Sequence, residues 1–202
     1  MTLTEEKIIV EEDFWTKFVD GDKGAFTAIY NFNIEALFSY GMKLYPDKDF
    51  VKDCIQDIFL DVFEHRKKLS TPRSVKHYLF IVLKRTMFRR LKKESKKESL
   101  SEFENLSFIT EYNVESRTID KEDEIYKKKL VHQIIKELTP KQQEILYLRF
   151  TKDFSYKEIS EIIDIDHNSV RKQVYRAIKK LRENDIFKDV IKILLFYSSV
   201  NS

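Results

Sequence analysis

Apolar residues recur at intervals of three and four along most of this chain, the spacing that puts them on one face of an α-helix. Phe14, Trp15, Phe18 and Val19 mark a short helix ending near Gly21 and Gly24. Ala25 to Tyr45 carries Phe26, Ile29, Tyr30, Leu37, Phe38 and Leu44 on a core face before Pro46 stops it. A third helix is predicted from about Asp49 to Lys68, where Val51, Cys54, Ile55, Ile58, Phe59, Val62 and Phe63 repeat. The loop Leu69 to Ser74 then leads into a long helix from about Val75 to Lys97. No convincing strand pattern interrupts these segments.

The second half resumes with a helix over Ile125 to Leu138. Thr139 then N-caps the next, Pro140 takes its first position and Gln142 completes a capping box, with Gln143 to Phe150 following. Ser155-x-x-Glu158 is a second capping box, opening a helix whose stripe is Ile159, Ile162 and Ile163. Asp164-Ile165-Asp166 breaks that stripe, and Asp166 can cap a final helix that buries Val170, Val174, Ala177, Ile178 and Leu181. Phe187 to Tyr197 reads as a helix packing back on its own domain, and the apolar run near it is too short for the ~20 residues a bilayer span needs.

Composition supports a helical chain: three Gly and three Pro in 202 residues leave few tight turns. The expected fold is all-α, two small helical domains joined by a flexible linker. The boundaries are residues 1–98, an acidic linker over 99–123, and 124–202. The linker is placed by weak periodicity, many acids and several Ser, Thr and Asn.

Charge changes the picture through its distribution. The net charge of +3 hides thirteen Lys and Arg between Arg66 and Lys97 against the single acid Glu94. On the last helix, at about 100° per residue, Asn168, Lys172, Tyr175, Arg176 and Lys179 share the exposed face with Arg171 on its flank. No acid occurs from His167 to Arg182. An ordinary solvated helix mixes signs, whereas an acid-free face after a short helix and turn is the pattern of a recognition helix in a DNA major groove. The earlier basic helix interleaves His77, Tyr78, Phe80, Lys84, Arg85, Phe88, Arg89 and Arg90, cations for phosphates and rings able to stack on single-stranded bases. Tyr78 and Phe80 fit a core equally well.

Enzyme chemistry finds no foothold. The three glycines match neither a P-loop nor a dinucleotide fingerprint, the four histidines and lone Cys54 give no zinc spacing, and no acid and base pair stands out. No catalytic residue, metal, cofactor or small-molecule substrate is expected. A single cysteine in a helical apolar pattern points to core packing in a reducing compartment. The opening MTLTEEKIIVEEDF lacks a basic region followed by a long apolar run, so no secretory leader is expected and the location expected is cytoplasmic.

Taken together, the two halves resemble the sigma-70 family of bacterial RNA polymerase sigma factors, in its extracytoplasmic-function group. Asp53-Cys-Ile-Gln56-Asp57-Ile-Phe59-Leu60 resembles the D-x-x-Q-[ED]-x-F helix that docks on the polymerase clamp, and Tyr78-Leu79-Phe80 with the basic stretch to Lys93 resembles the helix that engages the −10 element. Leu138-Thr139-Pro140 through Leu148-Arg149-Phe150, Tyr156-Lys-Glu158-Ile159-Ser160 and Ser169 to Ala177 resemble successive motifs of the −35 reader. The resemblance implies polymerase binding by Asp53, Gln56, Asp57, Phe59 and Leu60. It implies −10 contacts by Arg73, Tyr78, Lys84, Arg85, Phe88, Arg89 and Arg90, and −35 contacts by Asn168, Ser169, Arg171, Lys172, Tyr175, Arg176 and Lys179. The implied partners are core RNA polymerase, promoter DNA and an anti-sigma factor. Ser160 and Asp164 stand where the family usually has Ala and Gly, and Arg85 and Arg89 where its −10 helix often has Asn and Asp. The competing readings are a stand-alone helix-turn-helix regulator and a helical protein whose basic faces bind an acidic partner.

Overall fold

A computed structural model describes residues 13–95, Phe108 and residues 133–184, which form two compact units. All regular structure among them is helical. The expected linker, apart from Phe108, and the helix expected over Phe187 to Tyr197 lie outside the described residues.

In the N-terminal unit, residues 13–19 are helical and the chain leaves them through Gly21, whose φ of 105° is open to glycine at little cost. Asp22 then caps α1, Lys23–Leu44, accepting from the Gly24 and Ala25 amides at 2.7 and 3.1 Å. Asp47 caps α2, Lys48–His65, in the same way. The helix expected to run to about Lys68 instead tightens into a 3₁₀ turn over Arg66–Lys68, where the Leu69 amide donates to the Arg66 carbonyl at 3.2 Å. The basic helix is α3, Val75–Ser95, and the Ser74 hydroxyl accepts from the His77 amide at its start.

Each of these three helices packs on the other two. Between them are Leu37, Tyr40, Ile55, Ile58, Leu83 and Met87, all essentially without solvent contact, and burying a side chain of this size contributes about 1.5–3 kcal/mol. Cys54 is among the buried residues, as its position in the apolar pattern predicts. α1 and α2 come close together at Gly41, where a Cβ would lie 2.6 Å from Val51 Cγ1.

The C-terminal unit opens its described part with helical residues 133–136 and then the Thr139 capping box, both hydrogen bonds of which are present. α4, Pro140–Leu146, does not continue as an α-helix to Phe150; residues Tyr147–Thr151 widen into a π-helix, with the Lys152 amide donating to the Tyr147 carbonyl at 3.1 Å. That register keeps Leu148 buried and leaves Phe150 65% exposed. α5, Tyr156–Ile163, and α6, His167–Glu183, complete the unit, over a core that includes Leu138, Ile145, Leu148, Ile159, Val170 and Val174.

Candidate nucleic-acid interface

The start of α5 and its turn into α6 are set by short-range hydrogen bonds. The Ser155 hydroxyl accepts from the Glu158 amide at 3.3 Å while the Glu158 carboxylate accepts from the Ser155 amide at 2.8 Å. Asp164 sits in the left-handed region, φ 55° and ψ 51°, which an aspartate visits more readily than most residues. Asp166 caps α6 by accepting from the Ser169 amide at 3.1 Å.

With Val170, Val174 and Ala177 buried and Ile178 and Leu181 partly so, the rotation of α6 is determined. Its opposite face presents Asn168, Arg171, Lys172, Tyr175, Arg176 and Lys179 to solvent, Tyr175 at 71%. Ser169 is half-buried beside the cap. Lys179 lies 3.8 Å from Glu183, the first acid after the basic run, in an exposed pair. Gln142 donates to Gln173 at 3.3 Å and Lys180 donates to the Glu137 carbonyl, tying α6 to the chain before it.

The basic helix of the N-terminal unit is divided. Arg85 and Arg89 are exposed on α3, and Arg73 is exposed on the loop before it. Lys84 is not in this exposed set: it is 8% exposed, on the stripe of Leu83, Met87 and Leu91, with its ammonium 5.5 Å from the centre of the Phe88 ring. Arg90 is also withdrawn, donating to the Asp57 carboxylate across to α2. Burial, the largest single influence, disfavours the Arg90 charge, but the hydrogen bond to Asp57 and the nearby negative charges together outweigh it, and its pKa is held above the ordinary value.

Of the candidate stacking rings, Phe80 is core, parallel to Tyr40 at 4.9 Å. Tyr78 is half-buried edge-on to Trp15 at 5.7 Å, and burial followed by the Asp61 charge raises its pKa. Phe88 is half-buried.

On α2, Asp53, Gln56, Asp57 and Leu60 are exposed, Leu60 at 52%. Phe59 is only 4% exposed and meets Tyr30 edge-on at 4.9 Å, so it supports this surface from beneath. Gln56, Phe59 and Leu60 wall a groove of about 740 Å³ with Tyr30, Ile34 and Phe38 of α1. The α1 contribution is signalled in the sequence only by an apolar stripe wider than one buried face needs. Cys54 is buried beneath the surface, and burial pushes its thiol up to about 11.

Two residues outside the expected set stand beside α6. The Tyr156 ring has the Arg149 guanidinium at 5.3 Å and that of Arg171 at 5.7 Å. Among the described residues no group of His, Cys, Asp and Glu is placed to hold a metal ion, and no helix is long and apolar enough to cross a membrane.

Comparison with known proteins gives matches in both halves. Residues 29–97 match the family model Sigma-70 region 2, and residues 128–181 match Sigma-70, region 4. The chain is 28% identical over 136 residues to the RNA polymerase sigma factor SigV of Bacillus subtilis (strain 168), covering 67% of this chain and 76% of that protein. It is 22% identical over 154 residues to the ECF RNA polymerase sigma factor SigM of the same organism, covering 76% and 91%. Among solved structures, CnrH in complex with the cytosolic domain of CnrY matches with a TM-score of 0.56 at 14% identity, over 91% of this chain and 98% of that one. The sigma factor RpoE in complex with the anti-sigma factor NepR, from Bartonella quintana, matches at 0.53 and 18%, over 83% and 97%. These two likenesses are of fold.

Proposed function

Because the chain belongs to the sigma-70 family of RNA polymerase sigma factors, in its extracytoplasmic-function group, we propose that it binds core RNA polymerase and directs initiation at promoters carrying its −35 and −10 elements. The observation that carries this reading is that one chain holds two exposed cationic surfaces, on α3 and α6, and a separate apolar groove beside Gln56 and Leu60. Such a groove is a surface for a protein partner, which DNA contact by itself does not require.

Its work is binding and positioning, with no bond made or broken, and its place is the cytoplasm with the polymerase. α6 enters the major groove of the −35 duplex, where Arg171, Lys172, Tyr175 and Arg176 face base edges and phosphates. Arg73, Arg85 and Arg89 hold the −10 backbone while opened bases are captured, which offsets the few kcal/mol that unstacking costs. The Gln56 and Leu60 surface docks on the polymerase. RpoE was solved with an anti-sigma factor, and a partner of that kind covers the same groove here.

Co-elution of the full chain with core polymerase tests the docking. The unaltered chain forms a stable complex, and Leu60→Asp, which sets a charge at the groove rim without disturbing a buried residue, weakens it at least tenfold. DNA binding without any complex with core would leave a stand-alone regulator as the better reading.

A further inference from the structure

We infer that Tyr156 is a positioning residue for −35 recognition, its ring holding the Arg171 guanidinium in the orientation that reads a base pair. This rests on the reading of α6 as the −35 helix. The ring belongs to the first residue of α5, directly after the Ser155 and Glu158 capping box that fixes where that helix starts. It lies along the first turn of α6, edge-on to His167 at 6.4 Å and 5.7 Å from the guanidinium carbon of Arg171, one turn further on.

The second guanidinium on the ring is already anchored. Arg149 donates to the Phe154 carbonyl at 3.0 Å and lies 3.8 Å from the Asp153 carboxylate. Both of those partners follow the π-helix, so its wide register brings Arg149 to the ring. Arg171 differs: it is exposed, and among the described residues the Tyr156 ring is its only side-chain partner. Its N–H donors are therefore left for DNA while the ring beside its guanidinium limits how that group can turn. A bidentate contact from an arginine to guanine O6 and N7 depends on the plane of that group. Tyr156 need not touch DNA to decide how well Arg171 does.

The test uses holoenzyme made from core polymerase and the full chain, with a pool of promoter fragments randomised across the −35 window and sequenced after selection. The unaltered chain gives a positional profile, and Arg171→Ala flattens it at one or two positions. Tyr156→Leu flattens the same positions by about tenfold, an ordinary size for one bidentate contact. Tyr156→Phe keeps the profile, because the ring and not the hydroxyl does the holding. Adding Tyr156→Leu to Arg171→Ala changes nothing more.

A uniform loss across all positions from Tyr156→Leu would overturn the inference, as would a loss from Tyr156→Phe equal to that from Tyr156→Leu. Tyr156 is half-buried at a helix start, outside the core, and thermal melting of each variant separates unfolding from lost specificity. Should melting show Tyr156→Leu unfolded, Arg171→Lys decides: it keeps the charge but not the plane, so it flattens the same positions, and an unchanged profile would overturn the inference. A profile that is flat even for the unaltered holoenzyme would sink the promoter reading itself.

Discussion

α3 and α6 are both rich in cations, yet they use them differently. α6 lies with one face on its unit and the whole opposite face in solvent, so Arg171, Lys172, Arg176 and Lys179 are all exposed. α3 packs against both α1 and α2, and that second contact withdraws Lys84 into a nearly buried position and engages Arg90 with Asp57. The same density of positive charge therefore yields a continuous exposed cationic face in one unit and a sparser set of exposed cations, Arg73, Arg85, Arg89, Lys92 and Lys93, in the other. A helix's count of cations overstates its electrostatic footprint whenever a second neighbour shares its surface.

The sharpest way to break this contrast is to place an acid on each side of α6. Val174→Asp buries a charge at a site that is 4% exposed and should cost the C-terminal unit about 3–5 kcal/mol, seen as loss of its melting transition by circular dichroism. Lys172→Asp, on the exposed face, should leave that transition in place and abolish binding to the −35 duplex. Were both variants to melt alike, the assignment of faces would be wrong.

Next in size is the loss of a base contact. Arg171→Ala should reduce discrimination at one or two −35 positions by about 1–3 kcal/mol, read by competition among single-substitution duplexes. An equal loss on every sequence would show that Arg171 holds only phosphate.

Within α3, adjacent arginines should separate. Arg89→Ala should lower the salt slope of binding to a −10 DNA fragment by about 0.7–0.9. Arg90→Ala should leave the slope alone and cost the N-terminal unit roughly 0–1 kcal/mol, the range for a pair this open to solvent. Equal slopes for both variants would put Arg90 on DNA after all.

The smallest effect expected is on Cys54. A buried thiol with its pKa pushed to about 11 stays protonated at pH 8, so alkylation there should be negligible in the folded chain and complete in denaturant. Since the folded pKa lies above that of an unfolded thiol, the neutral form's contribution to stability is whole below the unfolded value and lost as pH rises from there towards 11. Labelling at the rate of a free thiol would mean that the core around α2 opens readily.

What could be read from the sequence follows the range of the interaction. The Thr139 and Ser155 capping boxes and the Asp166 cap all depend on residues within a few positions of one another, and each is present. The helical fold class and the rotation of α6 follow from periodicity, which is equally local. Lys84 and Arg90 needed tertiary information: their neighbours are set by how α1, α2 and α3 pack, and the Arg90 and Asp57 pair spans 33 residues. The π-helix over Tyr147–Thr151 is legible only as an apolar run, since an α-helical period cannot show where an extra residue enters a turn. The approach of Arg149 and Arg171 to the Tyr156 ring depends on that register and on the turn after α5, so no spacing rule finds it.

The most direct test of the central claim is run-off transcription by core polymerase, with and without the chain, on templates randomised across both promoter windows. Transcripts that appear only with the chain, from templates enriched in two separated sequence blocks, are the predicted result. Absence of any chain-dependent initiation, with DNA binding by the chain alone intact, would contradict it.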